Sequence, residues 1–345
     1  MKIFLCTAGT SIATNKGIDI SDLENQPSSK RAGKELELLN LRQSVQAHLS
    51  RVDLKRDLER TSAEIKSLAK MGLERRDRVY LLVSDTLDGE ACAALNKEYL
   101  EQGWGCEVVL EPIHGLQAVD GALFRREGLK NLLGMLIQLL DEHSFRELRI
   151  NVTAGFKSII PYVTLLGMIY GRPVMYIHEK SNEVLKLENI PITYDETMIL
   201  AAESKLARID KLSEITREEW NDGVPFETQQ RLSWLVEDAS SGSVTISPIG
   251  FLFYEKFKTD YPPELPRDRT PPEDKPINLG KIEHHGRDTL TPFAKKLCAS
   301  PYVKEILNSI PYSPKLKDPI KNCGADGIIE LVLVHTDAGY GLRVQ

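Results

Sequence analysis

Five strand-like stretches rich in apolar residues, KIFLCTAG, VYLLVSDT, CEVVLEPIHGL, LRINVTAGFKS and PVMYIHEKS, punctuate nearly 180 residues at the start of the chain. KIFLCTAG runs apolar without alternation and, like VYLLVSDT, reads as a buried strand, and the other three read as strands as well. The stretches between them are helical in period. Leu36 to Ala69 contains no Gly or Pro and reads as helix. DGEACAALNKEYLEQG reads as a helix ended by Gly103, and GALFRREGLKNLLGMLIQLLDEH and SIIPYVTLLGMIYG follow the same pattern. Strands and helices in strict alternation fold as an α/β, doubly wound, Rossmann-like parallel sheet. Ligands of such sheets bind at the carboxyl ends of the strands, near the point where strand order reverses.

The alternation stops after Ile192. MILAAESKLARIDKLSEITREEW and FETQQRLSWLVED read as helices, and SGSVTISPIGFLFYEKF as a short β-wing followed by a helix, the pattern of a small winged helix. This region is not basic, so a connector or dimerisation element fits it better than a DNA reader. YPPELPRDRTPPEDKP, with six prolines in sixteen residues, is stiff and poor in backbone donors and marks a boundary. Beyond it INLGKIEHH reads as a strand, RDTLTPFAKKLCASPYVKEILNSI as one or two helices, and IIELVLVHT with GYGLRVQ as a hairpin around DAG. The expected divisions are 1–198, 199–258, 259–276 and 277–345.

Charge narrows the partners. The net charge of -6 disfavours bulk polyanion binding by the whole chain, but residues 278–345 carry nine Lys and Arg against seven Asp and Glu. No apolar run is long enough to span a membrane and the amino end lacks a signal-peptide pattern, which points to the cytoplasm. Five scattered cysteines show no metal-ligand spacing and read as reduced, mostly buried thiols.

Two loops carry the functional signal. TAGTS (7–11) and NVTAGFKS (151–158) each follow a buried strand and supply Gly for close backbone approach, with hydroxyls and N–H groups suited to phosphate oxygens. Lys157 adds a point charge just before a helix. Neither loop is a Walker loop or a dinucleotide fingerprint. Together, in this order, they resemble the CARF domain, the cyclic-oligoadenylate sensor of type III CRISPR systems. PIHGLQAVD, FRREGL and YIHEKS resemble that family's connecting segments, and Ala154 stands where many members have Gly. The resemblance implies a homodimer binding one cyclic ligand across its two-fold axis, cyclic tetra-adenylate being favoured. It assigns Gly9, Thr10 and Ser11 to the first phosphate loop, and Thr153, Ala154, Gly155, Phe156, Lys157 and Ser158 to the second. Thr86, in VSDT, and His114 and Gln117 stand at further strand ends, as adenine or ribose contacts or as plain helix caps.

The carboxyl-terminal region lacks the Arg/His pair of a HEPN ribonuclease, and Val332 stands where a PD-(D/E)xK nuclease needs Lys, although Asp326 and Glu330 are present. KIEHHGRDTLTPFAKKL, SPKLKDPIK and GIIELVLVHTDAGYGLR are instead similar to the RelE toxin family, the ribosome-dependent mRNA interferases. That likeness implies metal-independent RNA cleavage by 2′-hydroxyl attack. Lys315, Lys317 and Lys321 would hold phosphate, Arg343 the transition state, and His335 or Tyr340 would transfer protons. The lysines also read as a solvated basic face, and many RelE members extend beyond the Y-x-L-R strand. Two other functions remain open: a ring nuclease using Ser11 and Lys157, and a transcription regulator using the winged helix.

Overall fold

The computed structural model describes residues 1–345 apart from 179, 180, 182, 189, 191, 240, 241, 262–267, 269, 281–283, 301, 314–319, 323–327, 336 and 337. For 284, 285, 311–313, 320–322, 333–335 and 338–340 only the backbone is described. Contacts divide the chain into two units, Met1–Leu140 with Arg146–Asp260, and Asp141–Phe145 with Tyr261–Gln345.

In the first unit the apolar runs become β1 (Lys2–Thr7), β2 (Arg78–Ser84), β3 (Glu107–Ile113), β4 (Glu147–Asn151) and β5 (Val174–Tyr176), paired in parallel. The sheet order is β3-β2-β1-β4-β5-β6. Strand β6 (Leu185–Leu187), which runs antiparallel to β5, has no sequence signature, because its three residues are all exposed. Helices α1 (Ser11–Thr14), α2 (Glu35–Leu49), α3 (Ala63–Lys70) and α4 (Leu87–Trp104) supply one face's core with Phe4, Cys6, Val79 and Leu81. After α5 (Gly121–Leu123), helices α6 (Leu129–Glu142) and α7 (Ile160–Ile169) cover the other face over Ile3, Leu5, Tyr80 and Ile150. Successive residues of each strand thus bury on opposite faces.

Three expectations need correction here. The helix expected from Leu36 to Ala69 is two helices, because side chains compete for the backbone between them. Asp53 accepts from the N–H groups of Lys55 and Arg56 at 3.0 and 3.2 Å, and Ser62 caps α3 by accepting from Ile65 N–H at 3.1 Å. Helix α4 continues through Gly103 and ends at Gly105, whose φ of +66° makes it the left-handed cap. The helix expected from Gly121 is interrupted by a π turn at Phe124–Gly128, a frequent companion of functional sites. Gly128 is required there, since a Cβ would lie 2.4 Å from Gly115 O.

The rest of the first unit comprises α8 (Glu196–Leu212), β7 (Ile215–Thr216), α9 (Arg217–Asn221), α10 (Phe226–Leu232), β8 (Val236–Asp238), β9 (Ser243–Ile246) and α11 (Pro248–Asp260). The three strands form an antiparallel sheet, β7-β9-β8, around a core that includes Leu206, Trp220, Leu235 and Val244. Val236–Asp238 is strand where helix was expected, and its Val236 is buried in that core. Helix α11 joins the two cores of the unit: Leu252 packs with the large sheet, Tyr254 and Phe257 with the small one.

The second unit holds α12 (His284–Cys298) and an antiparallel sheet of β10 (Ile306–Ser313), β11 (Ile320–Asn322), β12 (Ile329–His335) and β13 (Ala338–Val344), ordered β10-β13-β12-β11. Leu290, Ala294 and Cys298 on α12 pack against Ile306, Leu342 and Val344. The expected hairpin forms. Two other expectations fail: KEILNSI contributes to β10 rather than to a helix, because pairing with β13 buries Ile306, and His284 and His285 open α12 instead of ending a strand.

Candidate functional site

Chain order reverses between β1 and β4: β1 connects towards β2 on one side and β4 towards β5 on the other. The two glycine loops leave the sheet at these adjacent strand ends and touch. A Cβ on Gly9 would lie 2.8 Å from Gly155 N and 3.2 Å from Gly155 Cα. Gly155 has φ +87°, and a Cβ there would lie 3.1 Å from Ala8 O. Only glycine permits this approach from either side. Thr7 Oγ1, buried, donates to Ala154 O and so ties the first loop to the second. Asn151 braces the junction from below, donating to Ser67 Oγ at 2.8 Å and accepting from Thr153 N–H at 3.1 Å. Thr153 Oγ1 in turn accepts from Ile177 N–H at 3.1 Å.

A residue that the sequence did not single out sits beneath the first loop. Glu64 of α3 is fully buried; one carboxyl oxygen accepts from Gly9 N–H at 2.7 Å and the other from Ser11 Oγ at 2.7 Å. Ser11 Oγ also accepts from Ala63 N–H at 2.8 Å. Burial pushes the Glu64 carboxyl above its ordinary range, and the hydrogen bonds from Ser11 and Gly9 only partly offset that. No sequence signal marks it, because Glu64 resembles any other charge in a polar helical stretch. Neighbouring Cys6 is pushed far up by burial and is no nucleophile.

Phe156, Lys157 and Ser158 lie at the outer side of the second loop, with Lys157 and Ser158 exposed. Phe156 meets Phe124 of the π turn edge-on, with ring centroids 6.1 Å apart. Ser158 shares a recess of about 550 Å³ with Phe124, Arg125, Leu129 and Tyr162. Three further candidates have internal partners. Thr86 is buried and caps α4, accepting from Gly89 N–H at 3.3 Å. Gln117 is buried and accepts from Val119 N–H at 3.2 Å. His114, largely exposed, stands between Asp85 and Glu127, with Nδ1 3.0 Å and Nε2 3.3 Å from their oxygens.

His114 also edges a cleft of about 620 Å³ that reaches the small sheet. Across it Lys130 Nζ donates to Thr245 Oγ1 at 3.2 Å, which donates to Ser213 O at 2.8 Å. The chain of bonds runs from α6 through β9 to the end of α8.

In the second unit Lys315 and Lys317 lie outside the described residues, and of Lys321, His335 and Tyr340 only the backbone is described. The register sets Lys321 opposite Glu330 and Glu330 opposite Arg343, one row across three strands. His335 pairs with Ala338 and Tyr340 with Leu333, in other rows. Arg343 Nε donates to Glu330 at 2.8 Å, and its side chain stays half exposed. Among the described residues no cluster of His, Cys, Asp or Glu could hold a metal ion, and no helix is long and apolar enough to cross a membrane.

Residues 59–190 match a family of CRISPR-associated proteins, Cas_APE2256. The matched segment contains Glu64, His114 and the whole second loop, and begins beyond the first. No curated protein matches the chain. Among solved structures, Can2 from Sulfobacillus thermosulfidooxidans in complex with cyclic tetra-adenylate is similar, at 11% identity and a TM-score of 0.27 over 99% of this chain and 74% of that one.

Proposed function

We propose that the protein is an effector of type III CRISPR defence: a homodimer whose first unit senses cyclic oligoadenylate, cyclic tetra-adenylate being favoured, and whose second unit cleaves mRNA on the ribosome. The observation that carries the sensor reading is the contact of Gly9 with Gly155 at the reversal of strand order. Two backbone loops that share one junction can present N–H groups and hydroxyls to a single ring of phosphates, and Lys157 adds charge beside them. The match of residues 59–190 to a CRISPR-associated family supports the setting.

The link to the effector runs through the α8–α11 part of the first unit as a winged-helix-like connector. Its α10 carries a single basic residue, Arg231, which pairs with Asp195 at 3.4 Å, and that argues against a DNA-reading helix. Ring binding would shift the dimer between an idle and a cleaving arrangement, by as much as its affinities for the two differ. In the RelE-like unit the 2′-oxygen of the RNA attacks the adjacent phosphorus and the P–O5′ bond breaks, leaving a 2′,3′-cyclic phosphate and a 5′-hydroxyl. Arg343 and the lysines would stabilise the charged phosphorane, with His335 or Tyr340 moving the proton. Engagement of Ser11 by Glu64 and Ala63 argues against a ring nuclease that uses the Ser11 hydroxyl on the scissile phosphate.

The test is to incubate the protein with cyclic tetra- or hexa-adenylate in a translating extract and to follow both the ring and the mRNA. Ligand-dependent mRNA cleavage is expected. Loss of the ring with intact mRNA overturns the interferase reading, and absence of any ring binding overturns the sensor reading.

A further inference from the structure

The donors expected to grip phosphate in the first loop are already taken: the Gly9 N–H and the Ser11 hydroxyl both go to one buried carboxyl group. A charged side chain with no exposure is costly unless its hydrogen bonds serve the fold or the site. Here they serve the loop. The two oxygens hold its glycine, Gly9, and Ser11, the first residue of α1, and Ala63 N–H returns a bond to Ser11, so loop and helix α3 are laced in both directions. A Cβ on Gly9 would lie 3.8 Å from the Glu64 oxygen and 2.8 Å from Gly155 N, so the carboxyl group lies beside the junction of the two loops. Helix α3 is itself fixed, by the Ser62 cap and by Ser67, which receives the Asn151 bond. Glu64 and Ser67, three residues apart on its buried face, thus reach the first and second loops respectively.

We propose that Glu64 is a positioning residue for the cyclic-oligoadenylate site: it fixes the Gly9–Ser11 backbone against Gly155, so that both loops meet the ring already shaped. This rests on the sensor reading. Phosphate is then bound by the remaining donors of the paired loops and by Lys157, while the Ser11 hydroxyl is structural. Gln at position 64 keeps an acceptor for Gly9 and a partner for Ser11, whereas Asp keeps the charge but falls one methylene short.

The experiment compares the parent protein with Glu64→Gln, Glu64→Asp and Glu64→Ala, at a temperature where each is folded. Cyclic tetra-adenylate binding and hydrogen exchange of the Gly9 amide are both measured. Glu64→Asp and Glu64→Ala should each bind the ring about tenfold more weakly or worse, and exchange Gly9 about tenfold faster. Glu64→Gln should stay within about threefold of the parent in both readouts, which is the rescue expected if geometry rather than charge is at work. Should Glu64→Ala fail to fold, Glu64→Asp alone decides. Parent-like binding and exchange in Glu64→Asp overturn the proposal, as does a Glu64→Gln protein as impaired as Glu64→Ala. If the parent itself does not bind the ring, the sensor reading fails. The Gly9 exchange arm then still decides whether Glu64 holds the loop.

Discussion

Replacing Gly9 by Ala puts a methyl group into the one place where the two loops touch. The added Cβ would stand 2.8 Å from Gly155 N, about 0.6 Å inside ordinary contact, and 3.2 Å from Gly155 Cα. Both are backbone atoms, so no side chain can swing aside; the second loop must shift as a body or the first must peel from Glu64. Overpacking of this kind costs roughly 1–3 kcal/mol. At about 2–4 °C per kcal/mol for a unit of this size, thermal melting should fall by roughly 2–12 °C. If the strain is relieved by parting the loops, cyclic tetra-adenylate binding should weaken by about tenfold to a hundredfold, at 1.4 kcal/mol per decade. Gly121→Ala is the control, since a Cβ there meets nothing within 4 Å and should leave melting unchanged. Differential scanning fluorimetry and equilibrium binding of the labelled ring read the two effects. A Gly9→Ala protein that melts and binds like the parent would refute the contact and with it the shared cradle.

Gly128→Ala should be more damaging, about 3 kcal/mol or more, because its Cβ would meet Gly115 O at 2.4 Å and Leu116 Cα at 2.9 Å; denaturant melts that match the parent would count against the π-turn packing. Gly134→Ala should go the other way and stabilise by about 0.5–1 kcal/mol, since it lies within α6 and its Cβ would make ordinary contact with Phe251 at 3.5 Å; a destabilised variant sinks this. Because burial raises the Glu64 carboxyl above the 4.5 of an exposed glutamate, its contribution to stability is complete below that pH and is lost as pH rises through the raised value. The parent should therefore gain on Glu64→Gln as pH falls from 8 towards about 4, as read by urea melts, and a gain in the opposite direction contradicts the burial argument. Arg343→Ala should abolish ring-dependent mRNA cleavage while leaving ring binding intact, and unchanged cleavage removes it from the site.

The first two strands were legible because a strand covered on both faces must be apolar along its middle, as IFLC and VYLLV are. Strand β6 was not, since Leu185–Leu187 buries nothing and owes its place to pairing with β5. Ile306–Ile310 read as helix for a similar reason: only its antiparallel partner, β13, makes it part of a strand. At the site, both glycine loops were visible as motifs, whereas the burial and local backbone partners of Thr86 and Gln117 were not.

By itself, then, the sequence determined an alternating α/β sheet and two glycine loops at strand ends, because periodicity and glycine placement are local properties written in consecutive residues. Only the tertiary structure decided that the loops touch at Gly9 and Gly155, and that Glu64, more than fifty residues from the first loop, holds it. Those facts depend on strand order and on which helix face is buried. Both are set by packing between segments far apart in the chain, which no local pattern encodes.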